Sequence, residues 1–305
     1  MFYSLALVVT LAQATPASQP VTCSAAFGFV GTVCVPASAG RHPTMLVLGG
    51  SGGGDHMVPI ARRLAERGYV AATVAYFGLP GLPPALERIP VETVGNALGQ
   101  VAQRPDVDPQ RIGIFGVSKG GELALFAAST YPEIRAVVGL VPSPFAWSIV
   151  PRNLNRSMPL TWQPSWTIAG RPVPYVPYEP QMSASSRDAF DISLQRHRGA
   201  IPGAMFHLEN IRGPVLFVAG DDDQVWNSAE QSEIGMAYLK AHAHAYPDAY
   251  VHYPKAGHAF LFATGDRTQV RSGGTADGNA EAEKAAWIAI DDFLDRALVK
   301  PPAAS

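Results

Sequence analysis

Short apolar runs of strand length recur along the chain, each closing on glycine or a turn residue. They are "TMLVLGG" (44–50), "YVAATVAY" (69–76), "RIGIFG" (111–116), "IRAVVGLVPS" (134–143), "PVLFVAG" (214–220) and "AYVHYP" (249–254). The runs are nearly continuous in apolar character, with no strict alternation, which is the pattern of strands covered on both faces. Between them the period changes to that of amphipathic helices: 59–68, 91–103, 121–130, 228–241 and, most clearly periodic, "EAEKAAWIAIDDFLDRAL" (281–298). Strands alternating with helices predict an α/β fold with a mostly parallel, doubly wound sheet.

Residues 142–210 break this rhythm. The stretch is rich in Pro, Trp, Ser and Arg and carries weak helical signals. A connection of that length predicts a cap inserted into the sheet domain. The reading is one domain over 21–305, with the cap at about 142–210. Seven arginines stand against four carboxylates between 142 and 212, a charge balance that suits either a phosphate-bearing substrate or simple solvation of the cap.

Composition narrows the class. A hydrophobic content of 47% with 16% charged residues describes a globular chain with a large core. The net charge of −2, without a basic stripe, argues against a nucleic-acid partner. At the N-terminus, "LALVVTLA" followed by "AQA" (Ala12–Ala14) reads as a cleavable export signal within residues 1–20, although no Lys or Arg precedes it. The alternatives are an N-terminal strand or a short anchor, and without export the chain would be cytoplasmic. No membrane span is expected in the mature chain. Cys23 and Cys34 flank "SAAFGFVGTV", where Gly28 and Gly31 suit a hairpin; a disulfide and two buried thiols both fit the spacing.

The candidate chemistry centres on "GVSKGGEL" (116–123), a G-x-S-x-G element after a predicted strand and before a predicted helix. That context is the nucleophile elbow of the α/β-hydrolase fold, with Ser118 as nucleophile. Serine needs a base and an acid, and this fold supplies them in the order Ser, acid, His. "AGDDDQVW" provides the acid, with Asp223 preferred and Asp221 and Asp222 as alternatives one register away; "KAGHAF" provides His258 as base. An oxyanion hole needs two backbone N–H donors. Lys119, following the nucleophile, gives one, and Ser51 in "GGSGGG" (49–54) gives the other, with Gly52 as alternative. His242 and His244 have the look of a metal pair but lack a third ligand at helical spacing, so neither a metal nor a cofactor is expected. A serine hydrolase is the reading from the residues alone. A non-catalytic binder on the same scaffold would need none of these groups.

"GGSGGG", "GVSKGGELAL", "AGDDDQVW" and "GHAF" together resemble the catalytic domain of acyl-CoA thioesterases and bile acid-CoA:amino acid N-acyltransferases, which is related to dienelactone hydrolases. The resemblance spans about residues 40–298. It implies a Ser118–His258–Asp223 triad acting on an acyl thioester, and a place in fatty acid metabolism. The acyltransferase branch carries cysteine as nucleophile, so Ser118 points to hydrolysis. The animal enzymes carry a β-sandwich domain before the catalytic one, and none is expected in the residues of this sequence. An exported enzyme would be separated from cytosolic coenzyme A, which makes an exported carboxylesterase acting on oxygen esters the alternative. Acyl-chain length and oligomeric state are not encoded in these motifs.

Overall fold

In the computed structural model, residues 19–149, 162–183, 185–262 and 272–300 are described. The chain opens with β1 (Val21–Ala25), β2 (Thr32–Pro36), β3 (His42–Leu48), β4 (Val70–Thr73) and the short β5 (Ile89–Pro90). It continues with β6 (Val107–Val117), β7 (Ile134–Leu140), β8 (Trp166–Ile168), β9 (Arg171–Pro172), β10 (Val215–Gly220) and β11 (Ala249–Tyr253). Helices α1 (Val58–Glu66), α2 (Glu92–Ala102), α3 (Lys119–Thr130), α4 (Ser186–Arg196), α5 (Ile201–Ala204), α6 (Ser228–Ala241) and α7 (Ala276–Leu294) lie between and after them.

Eight strands form the main sheet in the order β1-β2-β4-β3-β6-β7-β10-β11. The pairs from β4 through β11 are parallel, whereas β1–β2 and β2–β4 are antiparallel. Successive residues of one strand feed two different cores. Leu46 and Leu48 of β3 face one cluster with α2 and α3 residues, while Met45 and Val47 face the other with α1 and α7 residues. Burial on both faces explains the unbroken apolar runs in the sequence. At about 25 cal/mol per Å² of apolar surface, each such side chain contributes about 1.5–3 kcal/mol. This is the mostly parallel, doubly wound arrangement that the alternating pattern predicts.

The strand order reverses at β3, which has β4 on one side and β6 on the other. Open α/β sheets bind ligands at such a switch point, beyond the carboxyl ends of the strands. "GGSGGG" leaves the end of β3 and Ser118 leaves the end of β6, so the topology alone brings two of the predicted elements together.

The described parts of the 142–210 stretch carry β8, β9, α4 and α5, and β8 and β9 join β5 in a separate three-stranded sheet. Phe145, Trp147, Tyr178, Phe190 and Leu194 from this stretch form a third core around Trp226, which follows the acidic loop. At the opposite edge, Cys23 and Cys34 sit in register on β1 and β2 and are joined by a disulfide. The export-signal expectation rests on residues 1–18, which lie outside the described residues, as do Arg152 and Arg156 of the cap. Among the described residues, no helix is long and apolar enough to cross a membrane.

Candidate active site

Ser118 links β6 directly to α3 and has φ 56° and ψ −122°. A side-chain-bearing residue with positive φ costs roughly 1–3 kcal/mol unless its surroundings over-determine it. Here they do: the Ser118 amide donates to Leu140 O at 2.9 Å, and Ser118 O accepts from Gly121 N at 2.8 Å and Glu122 N at 3.1 Å. The flanking glycines make room for the turn. A Cβ on Gly120 would stand 2.2 Å from Gly49 O, and one on Gly116 would stand 2.1 Å from Gly120 O. The same approach brings the "GGSGGG" loop to the serine, since a Cβ on Gly50 would lie 3.3 Å from that of Ser118. Ser51 is the next residue and is exposed.

The next strand ends in a second strained residue, which sequence reasoning missed. Val141, after β7, has φ 42°, an outlier for a β-branched side chain. Its amide donates to Val218 O at 2.7 Å and its carbonyl accepts from Trp226 Nε1 at 3.0 Å. Trp226 in turn meets the His258 ring edge-on at 5.8 Å. The ends of β6, β7 and β10 and the loop carrying His258 are thereby tied into one surface.

Three aspartates follow β10, and their geometries differ. Asp223 is fully buried, and its Oδ2 accepts from His258 Nδ1 at 2.8 Å. Its Oδ1 accepts from the Val225 and Trp226 amides at 2.9 and 3.2 Å. An ionised carboxylate only accepts, so Nδ1 of His258 is the donor in this bond. Asp221 pairs instead with the exposed His252 at 2.9 Å, and Asp222 accepts from Gln224 Nε2 and from the Gly274 amide.

The Gly274 contact belongs to a clamp that the sequence reading also missed. The buried Asn279, on α7, accepts from Gly257 N at 2.9 Å and donates to Gly273 O at 3.2 Å. Residues 273 and 274 bridge to Asp223 and Ala256, and the His258 amide donates to Ser272 O at 2.9 Å. The histidine loop is therefore held from both sides. The glycine pair before a Thr-capped helix was the available signal, but its partners lie far away in sequence.

Beneath the elbow lies a buried ion pair. Lys119 Nζ donates to Glu122 Oε2 at 2.8 Å, with the two side chains 1% and 0% exposed. Burial pulls the Lys119 ammonium below its ordinary range and pushes the Glu122 carboxyl above its own, while their mutual attraction opposes both shifts. His242 and His244 bond separately, to Tyr238 O and Asp248. Among the described residues no cluster of His, Cys, Asp or Glu has the geometry of a metal site.

A mostly parallel, doubly wound sheet with a strained serine at the end of β6 and a hydrogen-bonded Asp–His pair beyond β10 is the arrangement of an α/β hydrolase. Solved structures agree at the level of fold. A putative dienelactone hydrolase from Klebsiella pneumoniae subsp. pneumoniae MGH 78578 superposes with TM-score 0.59 and 19% identity, covering 91% of this chain and 100% of that one. The dienelactone hydrolase-like promiscuous phosphotriesterase P91 from metagenomic libraries gives TM-score 0.57 at 16% identity, over 91% and 98%. Residues 89–300 match the family model "BAAT / Acyl-CoA thioester hydrolase C terminal", and the chain belongs to that family. Its relatives include acyl-coenzyme A thioesterase 6 of Mus musculus, 28% identical over 88% of this chain and 62% of the relative. Peroxisomal succinyl-coenzyme A thioesterase of Mus musculus is 26% identical over 74% and 51%. The chain thus spans between half and two thirds of the length of these relatives.

Proposed function

We propose that the protein is a serine hydrolase that cleaves acyl thioesters of the acyl-CoA class through a covalent acyl-enzyme. The observation that carries this reading is the hydrogen bond from His258 to the buried Asp223 at the sheet end where Ser118 is held in its strained turn. His258 Nε2 takes the proton from Ser118 Oγ as the oxygen bonds to the acyl carbon. The Lys119 and Ser51 N–H groups receive the oxyanion. The carbon–sulfur bond then breaks and the thiolate leaves with the proton from His258. Water repeats the sequence on the acyl-serine, releasing the acid and restoring the serine. Asp223 keeps the imidazole in the useful tautomer. In this reading residues 142–210 are a cap over the site within one domain, and its surplus of arginines meets the phosphates of coenzyme A.

A second reading is favoured by the disulfide between Cys23 and Cys34, since such bonds persist in oxidising compartments. An exported or periplasmic enzyme would act on oxygen esters, as a carboxylesterase. The two readings separate on one panel: acyl-CoA substrates against p-nitrophenyl esters of matched chain length. A higher kcat/KM on the thioesters at every productive length supports the first reading. Turnover confined to the oxygen esters supports the second.

A further inference from the structure

The Lys119–Glu122 pair has no role in the proton relay, yet it occupies the first turn of the nucleophile helix. Replacing a buried ion pair by apolar residues is often neutral or stabilising, so stability alone is a weak account of it. The contacts suggest another. Glu122 Oε2 accepts from Lys119 Nζ, from the Trp147 amide at 3.2 Å and from the Trp166 indole at 2.8 Å. Lys119 Nζ also donates to Trp147 O at 3.2 Å and lies 5.1 Å from the centre of the Trp166 ring. Trp166 packs at 5.9 Å against Tyr76, whose buried hydroxyl donates to Gly49 O and Gly50 O at 2.5 and 3.3 Å. One carboxylate oxygen is thus linked through its own turn to the Lys119 peptide, and through Trp166 and Tyr76 to the peptide before Ser51.

We propose that Glu122, acting through Trp166 and Tyr76, is a positioning residue that fixes the two halves of the oxyanion hole relative to each other. The proposal rests on Ser118 being the nucleophile. Its force is geometric: oxyanion donors work because they are aimed before the charge develops, and here the two, Ser51 and Lys119, come from loops 68 residues apart in sequence. Burial of Lys119, Glu122, Trp147, Trp166 and Tyr76 excludes water that would otherwise compete for the bonds among them.

The arrangement also supplies its own controls. All three donors converge on Oε2, while Oε1 is buried without a hydrogen-bond partner. An amide can therefore place its oxygen at the first position and its nitrogen at the second, provided the lysine charge is removed as well. The expected results are as follows. Lys119→Met/Glu122→Gln loses at least about threefold less kcat than Lys119→Met/Glu122→Leu, because the acceptor for both tryptophan donors survives. Lys119→Met/Glu122→Leu loses about tenfold or more in kcat and in the rate of fluorophosphonate labelling, with KM little changed, as expected for weakened transition-state stabilisation. Trp166→Phe removes a single N–H, keeps the ring packing, and shows a smaller loss of the same kind. Thermal melts accompany each variant, and Trp166→Phe serves if the leucine variant does not fold. Wild-type labelling rates in folded Trp166→Phe, or equal losses in the Gln and Leu double variants, overturn the proposal. A wild type that folds but is never labelled at Ser118 instead overturns the catalytic reading beneath it.

Discussion

Among the three consecutive aspartates, one step of backbone register decides which side chain meets His258. Asp223 is buried against His258, Asp222 clamps a glycine amide, and Asp221 faces an exposed histidine. Asp223→Asn should lower kcat by about 10⁴, by allowing the wrong imidazole tautomer with the geometry intact. Asp221→Asn should change kcat less than twofold, and steady-state assays of the two variants side by side check this. A second residue-scale expectation concerns Tyr238. Partial burial and the Glu209 carboxylate that accepts its hydroxyl push the phenol up to about 12, above the usual 10. A raised folded pKa contributes stability that is fully present below pH 10 and is lost as pH rises toward 12. Thermal melts over that window should fall more steeply for the wild type than for Tyr238→Phe.

At the scale of elements, the His258 loop depends on α7. Thr275 caps the helix by accepting from Gly278 N at 3.0 Å, which starts it at Ala276 and presents Asn279 to the loop. Asn279→Leu should reduce kcat at least about tenfold by freeing the histidine loop, and about 1–3 kcal/mol of stability should go with the unpaired Gly257 amide. Activity assays and denaturant melts on the same preparation check both. The early helix start shows what the chain pattern leaves out. Apolar periodicity begins at Glu281, so the period alone misses the capped first turn where Asn279 sits. The strands β3, β6, β7 and β10 were legible because both their faces are buried and their runs are long. The strands β8 and β9 have three and two residues, too few for any period to register. Helix α4 is announced by its cap, Ser185 accepting from Asp188 N, more than by its weakly amphipathic sequence. The strained turn at Ser118 could be read because a glycine-flanked serine between strand and helix marks that turn. The contacts of Glu122 to Trp147 and Trp166 and of Asn279 to Gly257 could not, because those partners lie 22 to 44 residues away and only the fold brings them close.

For the molecule as a whole, the sheet is protected unequally at its two ends. The β1 edge is mostly exposed and is secured by the Cys23–Cys34 disulfide, which closes a separation of 11 residues. In the chain-entropy account such a link contributes about 3 kcal/mol. Reduction should therefore lower the denaturation midpoint, and Cys23→Ser/Cys34→Ser should match the reduced protein while retaining kcat, since five strands separate β1 from β10 in the sheet. The site itself is a property of the whole sheet. The ends of β3, β6, β7 and β10 each contribute a loop, and the 142–210 stretch reaches both sides of it, through Trp166 to Glu122 and through Arg187 to the Asp223 carbonyl at 2.8 Å. The central claim is that these loops converge to make Ser118 a nucleophile. Its most direct test is fluorophosphonate treatment of the intact protein, followed by peptide mass mapping. The account predicts a single adduct on the peptide containing Ser118, none in Ser118→Ala, and labelling slowed at least about 10³-fold in His258→Ala. A folded wild type that takes no label, or takes it on another residue, contradicts it.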